Sequence, residues 1–130
     1  NSIQTPLPKI FVSIHSNAGP VRNPKTDWSD KFSGIEVWHH HNSQYGRKLA
    51  AIFQKNLVDE LGRKDRGIKS KKVGEFYVLK NTNMPSVLTE TLFYNNPEEV
   101  EMLLDPEYQK RIAKAHVAAI KQIEINGINI

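Results

Sequence analysis

Two groups in this chain have residue type and setting suited to chemistry, an imidazole at the end of one apolar run and a carboxylate inside another. His15 follows Ile10-Phe11-Val12-Ser13-Ile14 and leads into Ser16-Asn17-Ala18-Gly19, the pattern of a buried strand that delivers one side chain to a strand end, where α/β folds often place ligands. On its own such a His is as readily an ordinary hydrogen-bonding side chain. Glu90 sits within Ser86-Val87-Leu88-Thr89-Glu90-Thr91-Leu92-Phe93, on the strand face shared by Leu88 and Leu92. Burying an ionised Glu there costs several kcal/mol unless a metal, a cation or hydrogen bonds compensate. Such surroundings also push its pKa upward, which suits a general base or acid. A wet strand end or a structural Arg partner is the competing reading.

Other residues have weaker claims. In Gly34-Ile35-Glu36-Val37-Trp38-His39-His40-His41, Ile35, Val37, His39 and His41 share one strand face, so His39 and His41 have the spacing to chelate a metal, against the plainer reading of a solvated His run. His116 falls on or beside an apolar helical stripe, where a satisfied core or boundary His is expected. Trp28 and Phe32 lie in the long polar connection 18–33; they either line a substrate groove or pin the loop to the body. Arg63, Lys64, Arg66, Lys69, Lys71 and Lys72 surround the single Asp65. This basic run reads as a solvated loop, since no aromatic is interleaved to stack a base, and nucleic acid is not an expected partner.

The elements that must hold these groups follow from periodicity and punctuation. The lead-in 1–9 carries Pro6 and Pro8 and has no period. Asn42 or Ser43 caps a helix with Tyr45, Leu49, Ile52, Phe53, Leu57 and Leu61 on one stripe, ended by Gly62. Glu75 to Leu79 reads as a short third strand, and Ser86 to Phe93 as a fourth. Asn96-Pro97-Glu98-Glu99 is a helix start in which Glu99 can return a hydrogen bond to the Asn cap. After Pro106 a last helix buries Tyr108, Ile112, Ala115, Ala119, Ile120 and Ile123. The order strand, strand, helix, strand, strand, helix predicts an α/β fold with a largely parallel, twisted sheet flanked by helices.

Composition bounds the rest. The 130 residues, 38% apolar and 25% charged, suit one domain, 1–130, with one core. No apolar run approaches the roughly 18 residues of a membrane span, and no basic head with an apolar stretch marks a signal peptide, so a mature or excised form is expected. The chain has no cysteine, which excludes disulfides, thiolate zinc sites and a thiol nucleophile. The formal charge of +4 and pI near 9.3 come largely from the stretch 63–72.

Four motifs in order, Phe11-Val12-Ser13-Ile14-His15-Ser16-Asn17-Ala18, Gly34-Ile35-Glu36-Val37-Trp38, Asp65-Arg66-Gly67-Ile68-Lys69 and Met84 through Glu98, resemble those of the zinc-dependent N-acetylmuramoyl-L-alanine amidases of bacterial cell walls and phages. The resemblance implies Zn2+ as cofactor, His15 as a metal ligand and Glu90 as the catalytic residue. It implies peptidoglycan or a muropeptide as substrate, cut between N-acetylmuramic acid and L-Ala, with Asn17 and Arg66 as substrate-binding candidates. It also implies an extracytoplasmic setting, or a phage lytic enzyme acting on the wall.

The family pattern begins earlier, with a Gly-His-Gly-Gly strand and a helix-borne Glu that supply further zinc ligands. This chain resembles the later portion of the catalytic domain, a partial domain whose amino-terminal strands and helix are missing. An unprotected sheet edge is expected where they belong. A preceding segment, a partner chain, or His39 and His41 would have to complete the metal site. The alternative is a non-catalytic cell-wall or partner-binding module that has lost its metal.

Overall fold

The computed structural model describes residues 9–23, 25–71, 76, 79 and 84–128. Its elements run β1 (Phe11–Asn17), β2 (Ile35–His39), α1 (Gln44–Leu61), β3 (Asp65–Lys69), β4 (Ser86–Phe93), α2 (Pro97–Leu104) and α3 (Pro106–Asn126). The strands lie in the order β1-β4-β2-β3. Two pairings are parallel, β1 with β4 and β2 with β3, and the central one, β2 with β4, is antiparallel. The sheet is therefore largely parallel as expected, with one reversed join at its centre.

Local chemistry sets the helix ends. The Ser43 hydroxyl accepts from Gly46 N at 2.8 Å, and Gly62 closes α1 in the left-handed region at φ 66° with its N–H on Val58 O, a conformation that suits glycine. Asp105 caps α3 by accepting from Glu107 N at 3.0 Å, with Pro106 in the first turn. Leu49, Ile52, Phe53, Leu57 and Leu61 of α1 meet Tyr108, Ala115, Ala119 and Ile123 of α3 over Ile35, Val37, Val87 and Leu92 of the sheet. Each large side chain so buried contributes roughly 1.5–3 kcal/mol. Both stripes differ from expectation in detail. Tyr45, in the first turn of α1, is 52% exposed, and Ile120 of α3 is 42% exposed.

Two segments depart from the expected layout. The basic run is not simply a loop, since Asp65–Lys69 forms β3 against β2. Its sequence has neither alternation nor an apolar run, and an edge position beside a parallel neighbour supplies the order that its side chains do not. The strand expected over 75–79 lies mostly outside the described residues. At the other edge, among the described residues β1 pairs with β4 alone, and Ile14 is 62% exposed.

The helix start at Asn96 is made as predicted on one side only. Asn96 Oδ1 accepts from Glu98 N and Glu99 N at 2.9 and 3.1 Å. Glu99 does not return the bond; Asn96 N is held by Phe93 O instead. The fully buried Glu99 carboxylate turns inward. It accepts from Phe93 N at 2.8 Å and Gly34 N at 3.1 Å, and pairs with the Arg63 guanidinium at 3.0 Å. Gly34 has φ 107°, and a Cβ there would lie 2.3 Å from the Lys64 carbonyl oxygen, so only glycine brings its N–H to this carboxylate.

Removing one partner of a buried ion pair strands the other. Arg63→Ala and Glu99→Ala should each lower the unfolding free energy by about 3–5 kcal/mol, measured by denaturant titration. A loss within the scatter of a surface substitution would show that the carboxylate does not hold these elements together.

Candidate functional site

The register brings the two principal candidates together. His15 and Glu90 are Cα partners on the adjacent parallel strands β1 and β4, so their side chains leave the sheet on one face. That face is set by Thr89, whose hydroxyl meets His116 of α3 at 2.9 Å; Thr89 points to the helices, and Glu90 alternates to the opposite side. Immediately after Glu90 the strand is irregular. β1 advances from His15 to Asn17 while β4 advances from Glu90 to Phe93, and Leu92 has φ 64°. The extra residue bends the strand end, a device common beside functional sites. It lets Leu92 reach the core while Glu90 stays on the other face.

On its second side Glu90 is paired with Glu36 of the antiparallel neighbour β2. Glu36 is 5% exposed, and its carboxylate is fully engaged. Arg66 Nε donates to Oε1 at 2.7 Å, and Trp38 Nε1 donates to Oε2 at 2.7 Å. The guanidinium of Arg66 also lies over the Phe93 ring, 4.9 Å from its centre. Among the described residues no such cation is paired with Glu90, which is 9% exposed. Burial first, and the neighbouring Glu36 charge second, push its carboxyl up from 4.5 to about 7. A carboxyl that takes and gives a proton near neutrality is suited to acid–base work.

Sequence reasoning missed Glu36. The signal was present: the argument that singled out a carboxylate in an apolar strand at Glu90 applies equally to Ile35-Glu36-Val37. Arg66, expected as a substrate contact, is directed onto Glu36. Asn17 lies at the end of β1, where its Oδ1 accepts from Ala18 N and its carbonyl accepts from Tyr94 N.

His15 itself is exposed, with Nε2 at 2.8 Å from the Ser13 hydroxyl. His39 and His41 do not join it. His39 is paired with Val87, three positions along β4 from Glu90, so it stands about 10 Å away along the strand and on the opposite face. It is buried, with Nδ1 on the His40 carbonyl. Among the described residues no three His, Cys, Asp or Glu side chains converge to hold a metal. A catalytic zinc takes three protein ligands; one exposed imidazole beside a carboxylate supplies a ligand position, not a complete site.

His116 is the satisfied core residue expected. Nδ1 donates to the Ile112 carbonyl at 2.8 Å, which leaves Nε2 to accept from the Thr89 hydroxyl. Burial lowers its pKa from 6.5.

These two shifts act oppositely on stability. Glu90 binds its proton more tightly folded than unfolded, so its contribution is fully present below pH 4.5 and is lost as pH rises through about 7. His116 contributes above pH 6.5 and loses that contribution as the pH falls. Comparing the metal-free protein with its Glu90→Gln variant cancels the His116 effect. The two should be about equally stable near pH 4, and the variant more stable near pH 8 by no more than about 3 kcal/mol. Parallel stability profiles would show that Glu90 is not held protonated by the fold.

Comparison with known proteins places the chain in context. A family described as N-acetylmuramoyl-L-alanine amidase matches residues 1–122. The chain is 33% identical over 108 residues to the N-acetylmuramoyl-L-alanine amidase LytC of Bacillus subtilis, covering 82% of this chain and 20% of that protein. It is 33% identical over 121 residues to the endolysin of Bacillus phage SPP1, covering 88% of this chain and 40% of that protein. The crystal structure of an N-acetylmuramoyl-L-alanine amidase from Clostridium difficile 630 superposes with a TM-score of 0.76 at 30% identity, covering 90% of this chain and 58% of that one. The chain thus spans from a fifth to about half of its first curated relatives.

Proposed function

The chain belongs to the N-acetylmuramoyl-L-alanine amidase family, and from that premise we propose that it is part of the catalytic domain of an enzyme that hydrolyses the amide between N-acetylmuramic acid and L-Ala in peptidoglycan. The observation that supports this reading most is the pairing of His15 with Glu90 across β1 and β4, with the Glu90 carboxyl raised to about 7. Glu90 is the general base that takes a proton from the attacking water and then returns it to the leaving amine. Burial first, and the neighbouring Glu36 second, keep its proton affinity high. Asn17, at the same strand end, is the proposed substrate contact. Arg66 contributes to substrate binding only from behind Glu36.

His15 is the proposed zinc ligand among the described residues, and the others would have to come from outside them. Zinc bound there would acidify a water and polarise the scissile carbonyl. Such an enzyme acts outside the cytoplasm or as a phage lysin, the setting of the wall amidases and endolysins among its relatives. The described helices include none long and apolar enough to cross a membrane.

The incomplete ligand set favours a second reading, a wall-binding module without metal or turnover. Zinc content and cleavage separate the two in the full-length protein. Glu90→Gln should reduce release of amino-terminal alanine from peptidoglycan by at least about 100-fold while bound zinc holds and the melting temperature does not fall. His15→Ala should lower both zinc content and cleavage. Undiminished release by Glu90→Gln would remove Glu90 from the chemistry, and a parent protein with neither zinc nor cleavage would favour the binding module.

A further inference from the structure

The described part of the connection 18–33 is tied down by hydrogen bonds and by the Phe32 ring. Its ends are stitched to the turn after β4. The buried Asn95 side chain accepts from Gly19 N at 2.8 Å and donates to Gly19 O at 3.1 Å, while its carbonyl accepts from Ser29 N at 3.0 Å. Asn96 Nδ2 donates to Phe32 O at 3.0 Å. The tip is tied by Asn23 N on Asp27 Oδ2 and Asp27 N on Asn23 O. Phe32 supplies the apolar anchor, packing on Phe93 with ring centres 6.3 Å apart. Of the two aromatic residues in this loop, one pins it; the other, Trp28, is 60% exposed.

Three hollows share the Trp28 side chain; one, about 470 Å³, is lined by Pro97, Val100 and Glu101 of α2, and the other two are lined mainly by the loop. The larger of these, about 590 Å³, runs past Pro20, Val21, Asp30, Lys31 and Pro97. The smaller, about 200 Å³, is lined by Lys25, Asp27, Tyr94 and Asn95. Tyr94, 40% exposed, follows β4 directly and donates its N–H to Asn17 O at 2.8 Å. The smaller hollow thus reaches the turn after β4, whose Tyr94 is bonded to the end of β1.

We propose that Trp28 and Tyr94 form a glycan subsite that holds a pyranose ring of the peptidoglycan strand, an N-acetylhexosamine, beside the scissile amide. The electron-rich faces of indole and phenol attract the polarised C–H face of a sugar ring, and both side chains keep a polar edge for water or hydroxyls. Asp27, Asp30, Lys25 and Lys31 around them offer acceptors and donors for hydroxyl and acetamido groups. With Glu101 the groups around Trp28 are three acidic and two basic; a stem peptide with its carboxylates would call for a basic rim, which a neutral sugar does not need. Because the loop is fixed by backbone and amide bonds, the platform is preorganised and loses little freedom on binding. The subsite rests on the proposed peptidoglycan reading for its substrate.

The test uses a neutral oligosaccharide of N-acetylglucosamine, titrated into the full-length protein carrying Glu90→Gln so that no turnover intervenes. Saturable binding that quenches or shifts tryptophan fluorescence is expected. Adding Trp28→Ala should weaken binding at least about tenfold, the equivalent of about 1.4 kcal/mol, with the melting temperature unchanged, and Trp28→Phe should restore most of it. Equal binding by Trp28→Ala, or no binding by the parent, would overturn the subsite. Failure of the amidase reading shows separately, as undiminished cleavage by Glu90→Gln, and leaves the saccharide titration interpretable.

Discussion

The Glu99 carboxylate is the constraint on which the site's geometry depends. A charge with no exposed surface must be matched on every side, and here it is matched by the N–H of Gly34 before β2, the N–H of Phe93 at the end of β4 and the guanidinium of Arg63 before β3. The same residue belongs to the first turn of α2, whose start is fixed by Asn96. Three strand ends and one helix start are thus referred to a single side chain. The irregular end of β4, with Leu92 at φ 64° and its N–H on Gly34 O, lies within this clasp, which offsets the cost of a non-glycine residue in the left-handed region. Glu90 is two residues upstream. Its direction is set by the strand before the bulge, and the clasp prevents that bulge from relaxing.

The second constraint is the reversed join at the centre of the sheet. Antiparallel pairing of β2 with β4 places two carboxylates, Glu36 and Glu90, directly opposite each other. Like charges in that relation are unfavourable. The conflict is resolved asymmetrically: Glu36 takes the cation Arg66 and the indole N–H of Trp38, while Glu90 takes no cation among the described residues and has its carboxyl raised to about 7. Two identical side chains acquire different states from their surroundings, the usual route by which a fold separates a structural carboxylate from a working one.

The two faces of the sheet divide the labour. Helices α1 and α3 cover one face with a continuous apolar core, into which Thr89 and His116 fit as a satisfied polar pair. The other face carries His15, Glu36 and Glu90, with the long connection 18–33 bound to the same strand ends through Asn95. Stability and chemistry therefore draw on alternate residues of the same strands, and β4 in particular contributes Val87 and Thr89 to one and Glu90 to the other.

By itself the sequence determined whatever depends on neighbours along the chain. Ser43 and Gly62 bound α1, Asn96 and Pro97 open α2, and Asp105 and Pro106 open α3, because caps and proline act within one turn. The unusual burial of Glu90 was legible too, since a carboxylate among apolar and β-branched residues is conspicuous in one dimension. Pairing and register were decided by the tertiary structure. Asp65–Lys69 became a strand only because β2 lies beside it. Glu99 left its own helix cap because two N–H groups and an arginine, distant in sequence, offered a better set of partners. His39, a strand-end imidazole like His15, was separated from it by face and by three register positions. Phe32 and Trp28 could not be told apart until Phe93 took one of them. In each case the deciding partner is contributed by a different element, and a local pattern carries no information about which distant residue will stand opposite.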